Sequence, residues 1–289
     1  MYKRQEKTIV VLSGKGKLPS IFKHLAEQKG YKVYTVGVRT ITDFKTDYRI
    51  PFLGFFEFEQ LLEELGKPPV VMLGKFEPKL VVSLFDSLLE KLKLRLFGGN
   101  WKKNWEIFLH LRGQMPTALP GEVIKTYIHY LEGKGFKFLS SEEIKTILSH
   151  LLAGKGILTP EVEINPDLLA QGKKFFEYTK RLADMEIGQT LVFKGGQVFA
   201  VEAADGTDAA IKRGAKLSGK GFSVVKAART FQDYRIDIPT VGLDTLKLLR
   251  EYGAKALFLE SEKVLIVEKE RFLKEASKSG IAVIGLTPR

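Results

Sequence analysis

Cysteine is absent from all 289 residues, which removes disulfides, zinc–thiolate centres and thiol nucleophiles from consideration. Histidine is scarce. The four present, His24, His110, His129 and His150, fall in stretches that read as helical, and none forms a pair spaced like metal ligands. Each reads as a solvated or core group. A Gly-x-Ser-x-Gly elbow is missing, so serine-hydrolase chemistry has no support. Long apolar runs are also missing: the stretch from Thr8 to Ser13 is too brief for a signal-peptide core or a membrane span. A cytoplasmic protein is the expectation, without internal repeats or low-complexity tracts.

What is present is a chain with 44% hydrophobic residues, long enough to bury a sizeable core in two domains. The net charge of +12 suits an anionic partner: nucleic acid, anionic lipid or a phosphorylated substrate. A solvated basic surface with no specific role is the alternative. The excess is uneven, with 23 Lys+Arg against 14 Asp+Glu in residues 1–137 (net +9) and 23 against 20 in residues 138–289 (net +3). An RNA-binding module would interleave aromatics with basic residues on an exposed strand face. The aromatics here sit mostly in apolar stretches, so nucleic acid is not an expected partner.

The first half alternates short strands and helices. Thr8-Ile-Val-Val-Leu12 reads as a strand, Ser13-Gly-Lys-Gly-Lys-Leu-Pro19 as a glycine turn and Ser20 to Lys29 as an amphipathic helix. Tyr31 to Val38 is a second strand, Phe55 to Leu65 a helix, and Val70 to Leu73 a third strand ending in Gly74-Lys75. This order predicts a small Rossmann-like parallel sheet, with ligands bound beyond the carboxyl ends of its strands. The turn at Gly133-Lys-Gly-Phe136 suggests a hinge, which divides the chain into an N-terminal Rossmann-like domain, 1–137, and a C-terminal domain, 138–289. In the latter, strands at 189–193, 197–203, 223–227, 237–241, 256–259, 264–268 and 282–286 with interleaved helices predict an α/β domain with a mixed sheet.

Four groups of residues could carry chemistry. Gly14 and Gly16, and likewise Gly74 with Lys75, allow close backbone approach and could face a phosphate at a helix N-terminus; a plain strand-to-helix turn explains them equally well. Neither turn matches a dinucleotide fingerprint or a P-loop. Glu202, Asp205, Thr207 and Asp208 cluster where a strand gives way to a helix, with Asp205 or Thr207 as N-cap the simpler account. Asp233, Arg235 and Asp237 alternate, which would place them on one face of an extended segment. They suit either a structural ion pair or a hard cation: carboxylates holding Mg²⁺ against substrate phosphates.

These residues also carry a resemblance. Ile187-Gly-Gln-Thr190, Ala200-Val-Glu-Ala203, Gly206-Thr-Asp208, Ile211-Lys-Arg213, Lys226 and above all Gln232-Asp-x-Arg-x-Asp-x-Pro-Thr-x-Gly242 with Asp244-Thr245 resemble the UDP-2,3-diacylglucosamine pyrophosphatase family of lipid A biosynthesis, the type unrelated to metallophosphoesterases. In the first half, Gly14-x-Gly16-x-Leu18-Pro19 and Gly74-Lys75 match more weakly. The resemblance implies Mg²⁺-dependent hydrolysis of the pyrophosphate to 2,3-diacylglucosamine 1-phosphate and UMP. Asp233 and Asp237 are the candidate catalytic carboxylates, and these two with Asp208 and Glu202 the candidate metal ligands. Gly14, Gly16, Gly74, Lys75, Thr207, Lys226, Gln232, Arg235 and Thr240 are the candidate substrate contacts. The implied partners are the nucleotide-linked glycolipid and the inner-membrane surface; homodimerisation stays open.

One departure favours a rival within the resemblance, a relative that binds a nucleotide-linked glycolipid without cleaving it: a Gly-Asp-Asp element is missing where Leu119-Pro120-Gly121 stands. Asp205 in place of the family's Glu before Gly206-Thr-Asp208 is a milder change that keeps the charge. The stretch from Leu88 to Phe108, with both tryptophans and Lys91, Lys93, Arg95, Lys102 and Lys103, has the composition of an interfacial segment. Core-packing helices are the competing account.

Overall fold

The computed structural model describes residues 7–76, 99–115 and 120–288. The chain divides into two compact units after Ile147, and the tetrapeptide Tyr234–Asp237 groups with the first unit. The sequence-expected hinge lay ten residues earlier in the chain.

The first unit is built on strands β1 (Lys7–Ser13), β2 (Tyr31–Val38), β3 (Tyr48–Ile50) and β4 (Val70–Leu73) in the order β3-β2-β1-β4, all parallel. Strand β1 pairs along both edges, and Ile9, Val10, Val11 and Leu12 are all buried, so both of its faces are covered as well, which explains an apolar run without alternation. Helix α1 (Leu18–Gln28) starts with Pro19 in its first turn, where the missing N–H costs nothing, and buries Leu18, Phe22 and Ala26 at four-residue spacing. Helix α2 (Phe55–Glu64) buries Phe58, Leu61 and Leu62.

Helices α3 (Trp101–Gln114), α4 (Pro120–Gly133) and α5 (Ser141–Ile147) follow. The Asn100 side chain caps α3 by accepting from the Lys103 N–H, and Asn104, Phe108 and Leu111 form its buried stripe. Asn104 is tied to α2: its amide accepts from the Phe56 N–H at 2.8 Å and donates to Glu57 at 2.7 Å. A reciprocal capping box starts α5, with the Glu143 carboxylate accepting from the Ser140 N–H and hydroxyl and the Ser140 hydroxyl accepting from the Glu143 N–H.

The second unit carries a six-stranded mixed sheet in the order β5-β12-β10-β8-β6-β7: β5 (Gly156–Ile157), β6 (Thr190–Lys194), β7 (Gln197–Val201), β8 (Ser223–Lys226), β10 (Ala256–Glu260) and β12 (Ala282–Leu286). Strands β8, β10 and β12 are parallel, while β5, β6 and β7 run antiparallel to their neighbours. A separate parallel pair joins β9 (Thr240–Val241) to β11 (Leu265–Ile266). Helix α6 (Pro166–Asp184) is capped by Asn165 and covers one face through Phe175 and Phe176. Helices α7 (Thr207–Ser218), α8 (Leu243–Tyr252) and α9 (Lys269–Lys278) cover the other through Ile211, Ala215, Leu246, Leu249, Phe272 and Ala276.

The expected fold class therefore holds, with an all-parallel sheet in the first unit and a mixed sheet in the second. One local expectation fails. Residues 234–236 form a turn rather than an extended segment, so the alternation of Asp233, Arg235 and Asp237 does not put them on one strand face. A strand needs a ladder partner for its backbone groups, and here only Thr240–Val241 finds one, in β11.

Contact between α6 and its sheet is close enough to test. A Cβ on Gly172 would overlap the ring of Phe258, which is fully buried on β10. On an open helix face Gly→Ala would stabilise by about 1 kcal/mol. Gly172→Ala should instead destabilise by roughly 1–3 kcal/mol through overpacking, read as a lower midpoint in denaturant unfolding.

Candidate active site

The candidate residues gather in three places. In the first unit, the turns after β1 and β4 meet each other: the Lys15 N–H donates to Lys75 O and the Lys75 N–H to Lys15 O, each at 3.0 Å, and the Gly14 N–H donates to Leu73 O at 2.8 Å. The Gly16 N–H donates to the Asp43 carboxylate at 3.1 Å. These N–H groups, which the sequence aimed at a phosphate, bond within the fold. A Cβ on Gly14 would stand 2.7 Å from Lys75 O, and Gly74 has φ +95° with Lys15 O equally near its missing Cβ. Glycine at both positions thus follows from backbone packing between β1 and β4, where the strand order reverses.

In the second unit the sheet brings Lys226, Thr207 and Glu202 together. Lys226 ends β8, in register with Thr190 on β6 and Leu259 on β10, and is almost wholly buried. Its ammonium donates to the Thr207 hydroxyl at 2.7 Å and to the Thr190 hydroxyl at 3.3 Å, and stands 3.9 Å from the Glu202 carboxylate. The Thr207 hydroxyl donates to Glu202 at 2.8 Å, and the Gln189 N–H donates to the other carboxylate oxygen at 3.3 Å. Gly188 makes this possible, because a Cβ there would collide with Glu202 O. A buried ammonium keeps its charge only with such partners.

The same cluster corrects the capping expectation. Gly206, at φ +83°, occupies the N-cap of α7 without a side-chain bond, Thr207 is the first helical residue, and Asp208 lies in the first turn. Asp205 instead pairs with Arg213, whose guanidinium holds the Asp205 carboxyl below the usual carboxylate range and also donates to Val201 O at 2.8 Å. The Lys226 ammonium, balanced here by Glu202, and the N-terminal N–H groups of α7 are the groups in this corner of the second unit whose chemistry suits a phosphoryl oxygen.

The third place is the Gln232–Asp237 segment, which straddles the division. Gln232 and Asp233 belong to the second unit, where the Gln232 side chain accepts from the Arg229 N–H at 3.1 Å. Tyr234–Asp237 belong to the first: Tyr234 is buried, its N–H donates to the Ser141 hydroxyl at 3.0 Å, and Arg235 pairs with Glu132 at 3.2 Å. Thr240 opens β9, in register with Leu265.

Among the described residues no group of three or more acidic or imidazole side chains is arranged to hold a metal ion. Glu202, one of the four expected ligands, is engaged by Thr207, the Gln189 N–H and the Lys226 ammonium, a setting that opposes a cation beside it. Glu202 therefore does not fit as a magnesium ligand in this arrangement.

Two family models match in tandem, the LpxI N-terminal domain over residues 8–148 and the LpxI C-terminal domain over residues 155–284. The chain belongs to the LpxI family. A curated relative, the UDP-2,3-diacylglucosamine pyrophosphatase LpxI of Caulobacter vibrioides, is 26% identical over 175 residues, a match spanning 58% of this chain and 61% of that protein. Less than two thirds of the relative's length is thus covered.

Sequence reasoning assigned no role to Thr190, although it stood in the Ile187-Gly-Gln-Thr190 motif; its burial beside Lys226 follows from strand register, which the sequence does not display. Lys226→Met should weaken binding of inorganic pyrophosphate about tenfold or more, the scale of one lost charge-assisted hydrogen bond, and Glu202→Gln should tighten it. Titration calorimetry on the two variants checks both signs.

Proposed function

We propose that this protein hydrolyses the pyrophosphate bond of UDP-2,3-diacylglucosamine to 2,3-diacylglucosamine 1-phosphate and UMP in lipid A biosynthesis. The tandem match to both LpxI domains carries this reading, and the Caulobacter relative, a UDP-2,3-diacylglucosamine pyrophosphatase, supports it. The buried Lys226 at the N-terminus of α7 suits the substrate's phosphates. An apolar hollow in the first unit, lined by Leu12, Ile50, Phe52, Met72, Phe108 and Tyr127 among others, suits hydrocarbon.

In this reading Asp233 and Asp237 orient or deprotonate the attacking water, Lys226 and Arg235 neutralise the phosphoryl oxygens, and Thr207 is a further substrate contact. Mg²⁺ would be brought with the substrate phosphates and held by one or two carboxylates and water, the usual habit of this ion. Purified protein with UDP-2,3-diacylglucosamine should release UMP, and EDTA should suppress the release. Asp233→Ala and Asp237→Ala should each remain folded and lose about a hundredfold or more in kcat, because such groups act mainly in the transition state. Hydrolysis by both variants at the parent rate would remove these carboxylates from the mechanism. Binding without UMP release, under any divalent-ion condition, would favour the non-cleaving relative.

Attachment to the inner-membrane surface from the cytoplasm belongs to the same proposal, since both acyl chains keep the substrate at the bilayer. No helix of the described residues is long and apolar enough to cross a membrane. Of the stretch from Leu88 to Phe108, residues 88–98 lie outside the described residues. Trp105, half-buried, stacks on Phe108 with ring centroids 5.1 Å apart and packs on the small cluster of Leu53 and Phe108. Trp101 is 39% exposed at the start of α3, beside exposed Lys102 and Lys103. In sedimentation with anionic liposomes at low salt, Trp101→Ala/Lys102→Ala should bind several-fold more weakly than the parent, given about 1 kcal/mol per basic residue near such a surface. Equal binding would make this end of α3 ordinary protein surface.

A further inference from the structure

Lys226 has a counterpart on the opposite face of the same sheet edge. Glu260 ends β10, fully buried, and its carboxylate accepts from the Lys180 ammonium of α6 at 3.0 and 3.2 Å. Both groups also reach the strap that leaves β8: the Lys180 ammonium donates to Ala228 O at 2.8 Å, and the Ala228 N–H donates to Glu260 at 2.8 Å. Two further side chains grip the next residues. Lys263 donates to Arg229 O at 3.3 Å and Thr230 O at 3.1 Å and stands 3.4 Å from Glu260. Asp184, near the end of α6, accepts from the Thr230 N–H at 2.6 Å and the Thr230 hydroxyl at 2.8 Å.

Three consecutive residues, 228–230, are therefore held by their backbone groups without regular secondary structure. Stability alone is a poor explanation. A buried ion pair gains little over apolar residues of similar volume, because desolvation offsets the attraction. Burial draws the Lys180 pKa below its ordinary value, and Glu260 opposes that shift. At Asp184 burial pushes the carboxyl up, but the Thr230 N–H and hydroxyl outweigh it and hold it below the usual range. The groups gripped are the ones that precede Gln232 and Asp233, and Gln232 itself accepts from the Arg229 N–H.

We propose that Lys180, Glu260, Lys263 and Asp184 are positioning residues whose network fixes the 228–232 strap and thereby sets where Asp233 stands. The assignment rests on the reading of Asp233 as a group at the reacting centre. The four residues lie outside the motifs that carry the family resemblance, and they act through the strap rather than on substrate.

The test compares two double variants with the parent by amide hydrogen exchange and by kinetics. Lys180→Met/Glu260→Gln removes both charges but keeps an oxygen for the Ala228 N–H; Lys180→Met/Glu260→Leu removes that acceptor too. For the Leu variant we expect exchange at residues 228–233 faster by about tenfold or more with β8 and β10 unchanged, and kcat lower by about tenfold with KM within about threefold. The Gln variant should recover most of both. Should the Leu variant not fold, Asp184→Ala, at a more exposed position, is the second probe: slower turnover and faster exchange at Thr230 with an unchanged melting temperature are expected. Parent-like exchange and kcat in the folded variants would overturn the proposal. Full activity of Asp233→Ala would instead sink the reading of Asp233, and exchange at 228–233 would then decide by itself whether the network fixes the strap.

Discussion

Two buried charges at the carboxyl ends of adjacent parallel strands govern the second unit. Lys226 ends β8 and Glu260 ends β10, and the pleat sends them to opposite faces, Lys226 toward the N-terminus of α7 and Glu260 toward Lys180 of α6. Neither could be removed from water without partners. Much of the local architecture supplies those partners: the tight approach of Gly188 to Glu202, the hydroxyls of Thr190 and Thr207, the start of α7 after Gly206, and the gripped strap at 228–230. Parallel strands make this economical, since their carboxyl ends share one edge, where binding groups converge in open α/β sheets.

The first unit solves a different problem at the corresponding place. There the ends of β1 and β4 carry glycines, and the two turns bond to each other through Lys15 and Lys75. Side chains are excluded at Gly14 and Gly74 because the backbones approach too closely. A glycine turn after a strand is thus ambiguous in sequence: packing against a neighbouring turn and cradling a phosphate select the same residue. The direction of the N–H groups separates them, and in this unit they point to Leu73, Lys75, Lys15 and Asp43.

Fold class was legible because strand and helix periodicities are local. The run of Ile9 to Leu12 announced a doubly flanked strand, and Phe22 and Ala26 announced the buried face of α1. The brief strands β3 and β5, of three and two residues, carry too little pattern to be read. The candidate site was half legible. Lys226, Thr207 and Glu202 were named from the sequence and do meet, whereas Thr190 joins them only through cross-strand register, and Lys180 and Glu260 pair across 80 positions of sequence. Asp233, Arg235 and Asp237 were misplaced for a related reason: alternation implies a shared face only where a ladder partner extends the chain, and residues 234–236 turn instead.

That turn bears on how the two motif carboxylates should be compared. Asp233 follows the strap that Lys180, Glu260, Lys263 and Asp184 hold in the second unit, while Asp237 follows Tyr234, which is buried in the first unit with its N–H on Ser141. Each carboxylate thus follows a segment anchored in a different unit. An error of about an ångström in placing a reacting group can cost about a hundredfold in rate, so both orientations need support beyond the motif. The sequence motif shows six residues in a row; the structure divides them into an anchor for each unit. Residues that look equivalent by spacing, two acids on either side of an arginine, therefore differ in what fixes them: Asp233 depends on a buried ionic network, and Asp237 on an aromatic anchor and the Arg235–Glu132 pair.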